Sequence, residues 1–230
     1  HHTHTTLKLQ IAQHLQDHLA STYAKMAVTG DYSPDAMSAG KRALGNTVLA
    51  MLTRLDGGKQ AAAQFADADN MSQQLNALRT LLANGHGDNE LQAFRAQWST
   101  DRLVMDKWFG IQAALAAPQQ AASKVKALTE DADFNWKNPN RFRAVMGGFA
   151  GNAAGFHAED GSGYALLADW LIKLDDVNPQ TTARMVSAFD SWKRYSPTRQ
   201  NLMRAALERI AAKPALSRDV TEMVGRILNA

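Results

Sequence analysis

Two histidines four residues apart, in His14-Leu-Gln-Asp-His18, are the first residues of the chain with metal-ligand spacing. On a helix that spacing puts both imidazoles on one face, where they could share a metal ion. The zinc-peptidase pattern H-E-x-x-H needs Glu directly after the first His, and here that residue is Leu15. The order H-x-x-E-H needs Glu at 17, and Asp17 is one methylene short. No third ligand is near in sequence. The plainer account is two solvated histidines on an amphipathic helix, with a small metallohydrolase built on them as the sharper alternative.

A denser group lies between Asn138 and Tyr164, where an Asn-Pro opening, Arg141, Arg143, a glycine pair and His157-Ala-Glu-Asp-Gly-Ser-Gly-Tyr164 fall within one short run. His157 beside Glu159 and Asp160 is a residue set for acid–base work. No nucleophile and no complete ligand set accompanies it. A structural hydrogen-bonding role between two helices is the competing account. Arg141 and Arg143 fall near a predicted helix N-terminus, where a cation opposes the helix dipole. They therefore call for a carboxylate partner, either Glu159 or Asp160, or a substrate carboxylate gripped bidentately. Gly161-Ser-Gly163 opens the next helix; its amides either serve that turn or hold an anion. Arg184 falls mid-helix in Asn-Pro-Gln-Thr-Thr-Ala-Arg.

Other chemistry is excluded more firmly. There is no G-x-S-x-G elbow, no P-loop and no G-x-G-x-x-G after a strand. The chain has no cysteine, which removes disulfides, thiolate metal sites and a thiol nucleophile, and fits a reducing cytoplasm. Lys and Arg number 25 against 22 Asp and Glu, for a net charge of +3. That near-balance lacks the clustered basic excess of a nucleic-acid binder. No apolar run reaches the roughly 18 residues that span a bilayer, and no secretory signal is present. With 45% hydrophobic residues in a chain of 230, a folded domain with its own core is expected.

The elements that must position these groups read as helices almost throughout. Leu7, Ile11, Leu15, Leu19 and Tyr23 lie on one face of a first helix. Ser33-Pro34 starts a second, striped by Met37, Ala43, Leu44, Val48, Met51 and Leu52. Asn70 and Asp101 are further caps, Asp88 to Trp98 is a helix, and Thr129 to Lys137 is a loop anchored by Phe134 and Trp136. Helices follow over Pro139 to Phe149, around Phe156, and over Tyr164 to Leu174. Pro179 to Trp192 and Pro197 to Ala212 come next, and Ser217 caps the last. No strand alternation is visible. The prediction is an all-α fold of roughly a dozen helices with short connections, arranged as antiparallel pairs in a right-handed α-solenoid, with a compact bundle as the alternative. The polar opening HHTHTT is either an expression tag or a frayed helix end, and the absence of an initiator Met suggests a piece of a longer polypeptide.

Six motifs in order carry a resemblance. They are Leu103-Val-Met-Asp-Lys-Trp-Phe109, Asn138-Pro-Asn-Arg141, Phe156-His-Ala-Glu-Asp-Gly-Ser-Gly-Tyr164, Asn178-Pro-Gln180, Lys193-Arg-Tyr195 and Met203-Arg-Ala-Ala-Leu-Glu208. Together they resemble the C-terminal domain of the bacterial aminopeptidase N family, zinc metallopeptidases of the gluzincin type. The likeness runs over nearly the whole chain and is weakest over its first thirty residues. It departs at Asn152-Ala153, where the family often has Asn-Pro, and the whole H-E-x-x-H region is missing. The resemblance implies that residues 1–230 are a single helical domain without the catalytic domain, ending at the natural terminus. It implies a parent enzyme that removes N-terminal residues from peptides, with zinc in the catalytic domain and no cofactor in this part. This domain would pack against the other domains of its polypeptide, cap the active site and leave a channel for peptide substrates. By motif position Arg143 and Arg184 would line that channel, with Arg141, His157, Glu159 and Asp160 a structural or channel-lining polar cluster. A cytoplasmic enzyme with neither nucleic-acid nor membrane partners is expected. The competing expectation is a free-standing helical-repeat module that binds a peptide or protein on its concave face.

Overall fold

The structure, a computed structural model, describes residues 2–229. Among them there are fourteen α-helices and no β-strand. The chain divides into two compact units, His1–Trp98 and Ser99–Ala230. No helix of the described residues is long and apolar enough to cross a membrane.

The first unit holds α1 (His2–His14), α2 (Gln16–Lys25), α3 (Ala36–Asp56), α4 (Lys59–Asp67), α5 (Met71–Ala83) and α6 (Asp88–Trp98). The single helix expected over Leu7 to Tyr23 is broken at Leu15, whose φ −107° and ψ 16° leave the helical region. The second helix starts later than Ser33-Pro34. Asp35 is its N-cap because its carboxylate accepts from both Met37 N and Ser38 N, whereas the Ser33 hydroxyl accepts from Asp35 N, ahead of the helix. Long α3 is the spine of this unit, packing against α1, α2, α4 and α5. Its buried face is Val48, Leu49 and Leu52. Leu49 meets Ala61 and Leu81 in one cluster. Three members of the expected stripe point outward instead: Ala43 is exposed, Met37 is 75% exposed and Leu44 45%.

The second unit holds α7 (Arg102–Leu115), α8 (Ala121–Glu130), α9 (Pro139–Gly151), α10 (Ala153–Phe156), α11 (Ser162–Asp175), α12 (Pro179–Val186), α13 (Pro197–Ala211) and α14 (Arg218–Asn229). Asp101 caps α7, Asn138 caps α9 and Asn178 caps α12, each accepting from the first turn. Asn152 caps α10 through Gly155 N, so that turn closes with Ala153 at the first helical position. The helix expected from Pro179 to Trp192 ends at Val186. Two 3-10 turns follow, Ser187–Phe189 and Trp192–Arg194, with Phe189 and Trp192 both buried. Trp192 Nε1 donates to Ile227 O across 3.0 Å and ties this segment to α14. Ser217 sits at the expected cap position and its carbonyl accepts from Thr221 N of α14, but its hydroxyl donates to Asp175 at the end of α11. Lys213 joins the same carboxylate at 3.1 Å. Burial opposes ionisation of Asp175, yet the Ser217 and Lys213 hydrogen bonds outweigh it and hold the carboxyl below its ordinary range.

The loop after α8 is anchored as expected. Phe134 is buried against Phe109 and Trp170, while Trp136 rests 6.2 Å from Trp170. The helices α7 and α9 pack backbone to backbone. A Cβ added at Gly148 would stand 2.7 Å from Gly110 O, and one at Gly110 would stand 3.1 Å from Ala144 O. The glycine pair at 147–148 thus has a packing reason on one side only, since a Cβ at Gly147 meets nothing within 4 Å. In chemical denaturation of this chain, Gly148→Ala is expected to cost about 1–3 kcal/mol by overpacking. Its neighbour Gly147→Ala should stabilise α9 by about 0.5–1 kcal/mol, because the glycine's extra chain entropy is removed at no steric cost.

Candidate functional site

Arg141 and Arg143, two residues apart on α9, meet different surroundings. Arg141 is buried. Its Nε donates to Asp106 of α7 at 2.5 Å, Nη1 to Asp133 O at 2.5 Å, and Nη2 to Arg102 O at 3.5 Å. The guanidinium also lies 4.4 Å from the centre of the Phe109 ring. The carboxylate partner of Arg141 is therefore Asp106, and neither Glu159 nor Asp160. A polar cavity of about 350 Å³ adjoins this arginine, lined also by Arg102, Asn135 and Asn138. Arg143 is half-buried and bonds only within its own helix, with Nε to Pro139 O at 3.2 Å and Nη2 to Asn140 Oδ1 at 2.7 Å. Arg184 is exposed on α12, a helix that packs against α9, and its guanidinium has no hydrogen bond or ion pair among the described residues.

His157 follows α10 and is clamped by two phenols. Its Nδ1 is 2.9 Å from Tyr164 Oη and its Nε2 is 2.8 Å from Tyr195 Oη. The ring stacks on Tyr195 with centroids 4.1 Å apart. Arg199 Nε donates to the His157 carbonyl at 2.8 Å, and its Nη2 reaches exposed Glu159 at 3.4 Å. Burial lowers the imidazole below its ordinary 6.5, with the Arg199 charge acting in the same sense. Burial also pushes the Tyr164 phenol up to about 12. A neutral ring satisfies this arrangement, with its N–H given to one hydroxyl and its bare nitrogen accepting from the other. A general base must offer a free nitrogen to a substrate proton. Both nitrogens of His157 are occupied, so this imidazole positions α10, α11 and the Trp192–Arg194 turn. Asp160 turns back on its own loop. It accepts from Ser162 N at 3.0 Å and from Ser162 Oγ at 2.8 Å, and these bonds hold its carboxyl below the usual range. The Ser162 amide is thereby taken, and Gly163 packs so closely that an added Cβ would stand 2.3 Å from Phe156 O.

Arg141 thus stands apart from the His157 group, and Tyr164, Tyr195 and Arg199 belong to it. Tyr195 and Arg199 lie more than thirty residues downstream of His157, and no local spacing signals them. Asp106 was legible only as part of a motif. His14 and His18 are both exposed and lie on either side of the break at Leu15. Among the described residues no group of three or more His, Asp or Glu side chains could hold a metal ion.

The fold and these clusters define an all-α helical-repeat domain whose polar groups mostly serve packing and turns. Residues 1–229 match the family described as "Domain of unknown function (DUF3458_C) ARM repeats", and the chain belongs to that family. Among curated proteins it is similar to aminopeptidase N of Caulobacter vibrioides, at 41% identity over 228 residues, and of Escherichia coli, at 36% over 225. Aminopeptidase N of Haemophilus influenzae is 34% identical over 226 residues. These matches cover 95–96% of this chain and 26% of each relative. A solved structure, Legionella pneumophila aminopeptidase A in complex with aspartic acid, matches with a TM-score of 0.89 at 29% identity, over 98% of this chain and 28% of that one. The likeness to the C-terminal helical domain of aminopeptidase N is thus shown, together with the all-α repeat fold. The chain spans about a quarter of the relatives' length, so further domains of the same polypeptide are implied.

Two measurements test the roles given to these side chains. Asp106→Ala strands a buried guanidinium and should cost about 3–5 kcal/mol in urea denaturation, whereas Asp106→Ala with Arg141→Met should lose far less. His157 takes its proton less readily folded than unfolded, so its contribution to stability is complete above pH 6.5 and is lost as pH falls from 6.5 through the lower folded value. The denaturation midpoint should therefore drop over that interval, and His157→Gln should flatten the slope.

Proposed function

We propose that this chain is the non-catalytic C-terminal domain of a zinc-dependent aminopeptidase. In the parent enzyme it caps the active site and lines the channel by which peptides reach it. One observation carries this reading: nearly the whole chain matches aminopeptidase N relatives while spanning about a quarter of their length. Its own residues supply no three-ligand metal group among those described, so the zinc of the parent would be held elsewhere in the polypeptide. The reading extends to a cytoplasmic enzyme of peptide breakdown, consistent with the lack of cysteine.

Arg143 and Arg184 are the channel residues in this proposal. They sit on packed neighbours α9 and α12, and both keep their charge available to a ligand. The Arg184 guanidinium engages no partner among the described residues, and the Arg143 guanidinium engages only neutral acceptors of its own helix. A guanidinium fork suits the carboxylate or main-chain carbonyls of a passing peptide. Arg141 does not share this role, because Asp106 already neutralises it.

In the parent enzyme, Arg143→Ala and Arg184→Ala should each raise KM for oligopeptides about tenfold, the loss expected for one hydrogen bond to a charged group. Thermal melting should stay unchanged for exposed Arg184→Ala and shift only slightly for half-buried Arg143→Ala, which loses two hydrogen bonds within its own helix. Aminoacyl p-nitroanilides too short to reach the channel should be turned over as before. Unchanged peptide kinetics in both variants would overturn the channel assignment.

A further inference from the structure

Arg42 shares the buried face of α3 with Gly45 and Leu49 and is only 6% exposed. Among the described residues no carboxylate pairs with it. Its Nη2 donates to Ser33 O at 2.6 Å, and its guanidinium lies 4.7 Å from the centre of the Tyr32 ring. Its other N–H groups meet no acceptor among the described residues. Buried arginines are normally paired, because an unmatched cation gives up its hydration without a counter-charge in return. Arg42 also lines a cavity of about 190 Å³ in the first unit, between the end of α2 and helices α3, α4 and α5. A cavity of about 150 Å³ accepts a six-carbon ring, so this one has room for a small amino acid.

The rest of the wall is polar and braced. Tyr23 Oη donates to Gln64 Oε1 at 2.9 Å, and Gln64 Nε2 donates to Asn46 Oδ1 and to Gln73 O, each at 3.0 Å. Gln64 therefore has no N–H left for a ligand. Asn46 is one turn along α3 from Arg42, a rise of about 6 Å. Over that distance the electrostatics change sign. Burial raises the Tyr23 phenol above its ordinary range, and the nearby Asp67 charge acts in the same sense. The negative pole of α2 also ends here. Met26 and Ala27 line the cavity, and their carbonyls accept no hydrogen bond among the described residues. A simple anion would leave these acceptors unmet, and a simple cation would leave Arg42 unpaired. We propose that the cavity binds a free α-amino acid, its carboxylate held by the Arg42 fork and its ammonium group by the Met26 and Ala27 carbonyls within the field of Asp67. The inference rests on this cavity and not on the channel assignment.

The test is a titration of the full parent polypeptide, labelled with ¹³C at its methionine methyls, with L-alanine. Met26 lines the cavity, so its methyl resonance reports this site and not the parent's active site. The resonance should shift saturably. Arg42→Gln should weaken that binding at least about tenfold, the loss expected for hydrogen bonds to a charged group. A second variant leaves Arg42 and its bond to Ser33 in place. A Cβ at Gly45 stands 3.4 Å from Met26 Cβ, in ordinary contact, so Gly45→Val narrows the cavity and should also weaken binding. Acetate and ethylamine, which carry one charge each, should bind at least about tenfold more weakly than L-alanine. No saturable shift with L-alanine would overturn the proposal, as would unchanged affinity in either variant. Acetate binding as tightly as L-alanine would make this a simple anion site and overturn it too.

Discussion

The close crossing of α7 and α9 is the constraint on which the second unit depends. Two glycines let the backbones approach until no side chain fits between Gly110 and Gly148. Further along the same pair, Asp106 and Arg141 form an ion pair whose side chains are 14% and 7% exposed. A buried pair of this kind contributes little net stability, since desolvation offsets most of the attraction. Its effect is on register. Sliding α9 by one turn would strand both charges in the interior and force the Ala144 carbonyl against a side chain in place of Gly110. The two devices thus enforce one alignment, and that alignment fixes where Arg143 emerges two residues later. Through α9, which packs on α12, the same crossing bears on the position of Arg184.

The sequence placed most helices correctly because caps are local. Asn70, Asp101, Asn138 and Asn178 each bond within their own first turn, so spacing alone reveals them. The errors fall where long-range contacts override local preference. Trp192 leaves the expected helix because its indole is needed at Ile227 O, thirty-five residues away. Ser217 gives its hydroxyl to Asp175, forty-two residues upstream, where it helps keep a buried carboxylate ionised. No window of fifteen residues contains either partner.

The run from Asn138 to Tyr164 shows how a sequence can look chemical for mechanical reasons. Its glycines mark close approaches, at 148 against α7 and at 163 against Phe156 O. Its buried arginine holds two helices in register. Its histidine is clamped by two phenols, and Asp160 is consumed by its own turn. What distinguishes the guanidinium groups of Arg143 and Arg184 from these is that neither has a charged partner among the described residues, a property invisible until the acceptors of the other polar groups are assigned.

The same contrast governs the first unit. Helical periodicity reports which face of a helix is meant to be covered, without reporting by what. For Val48, Leu49 and Leu52 the pattern agrees with burial, and Leu49 is covered by Ala61 of α4 and Leu81 of α5. For Leu7, Ile11, Leu15, Met37 and Leu44 the pattern is equally regular, yet the side chains stand in solvent. Scattered exposed apolar residues are ordinary on any protein, but two regular rows on helices that pack together are not. A periodic face without cover is information about the rest of the polypeptide.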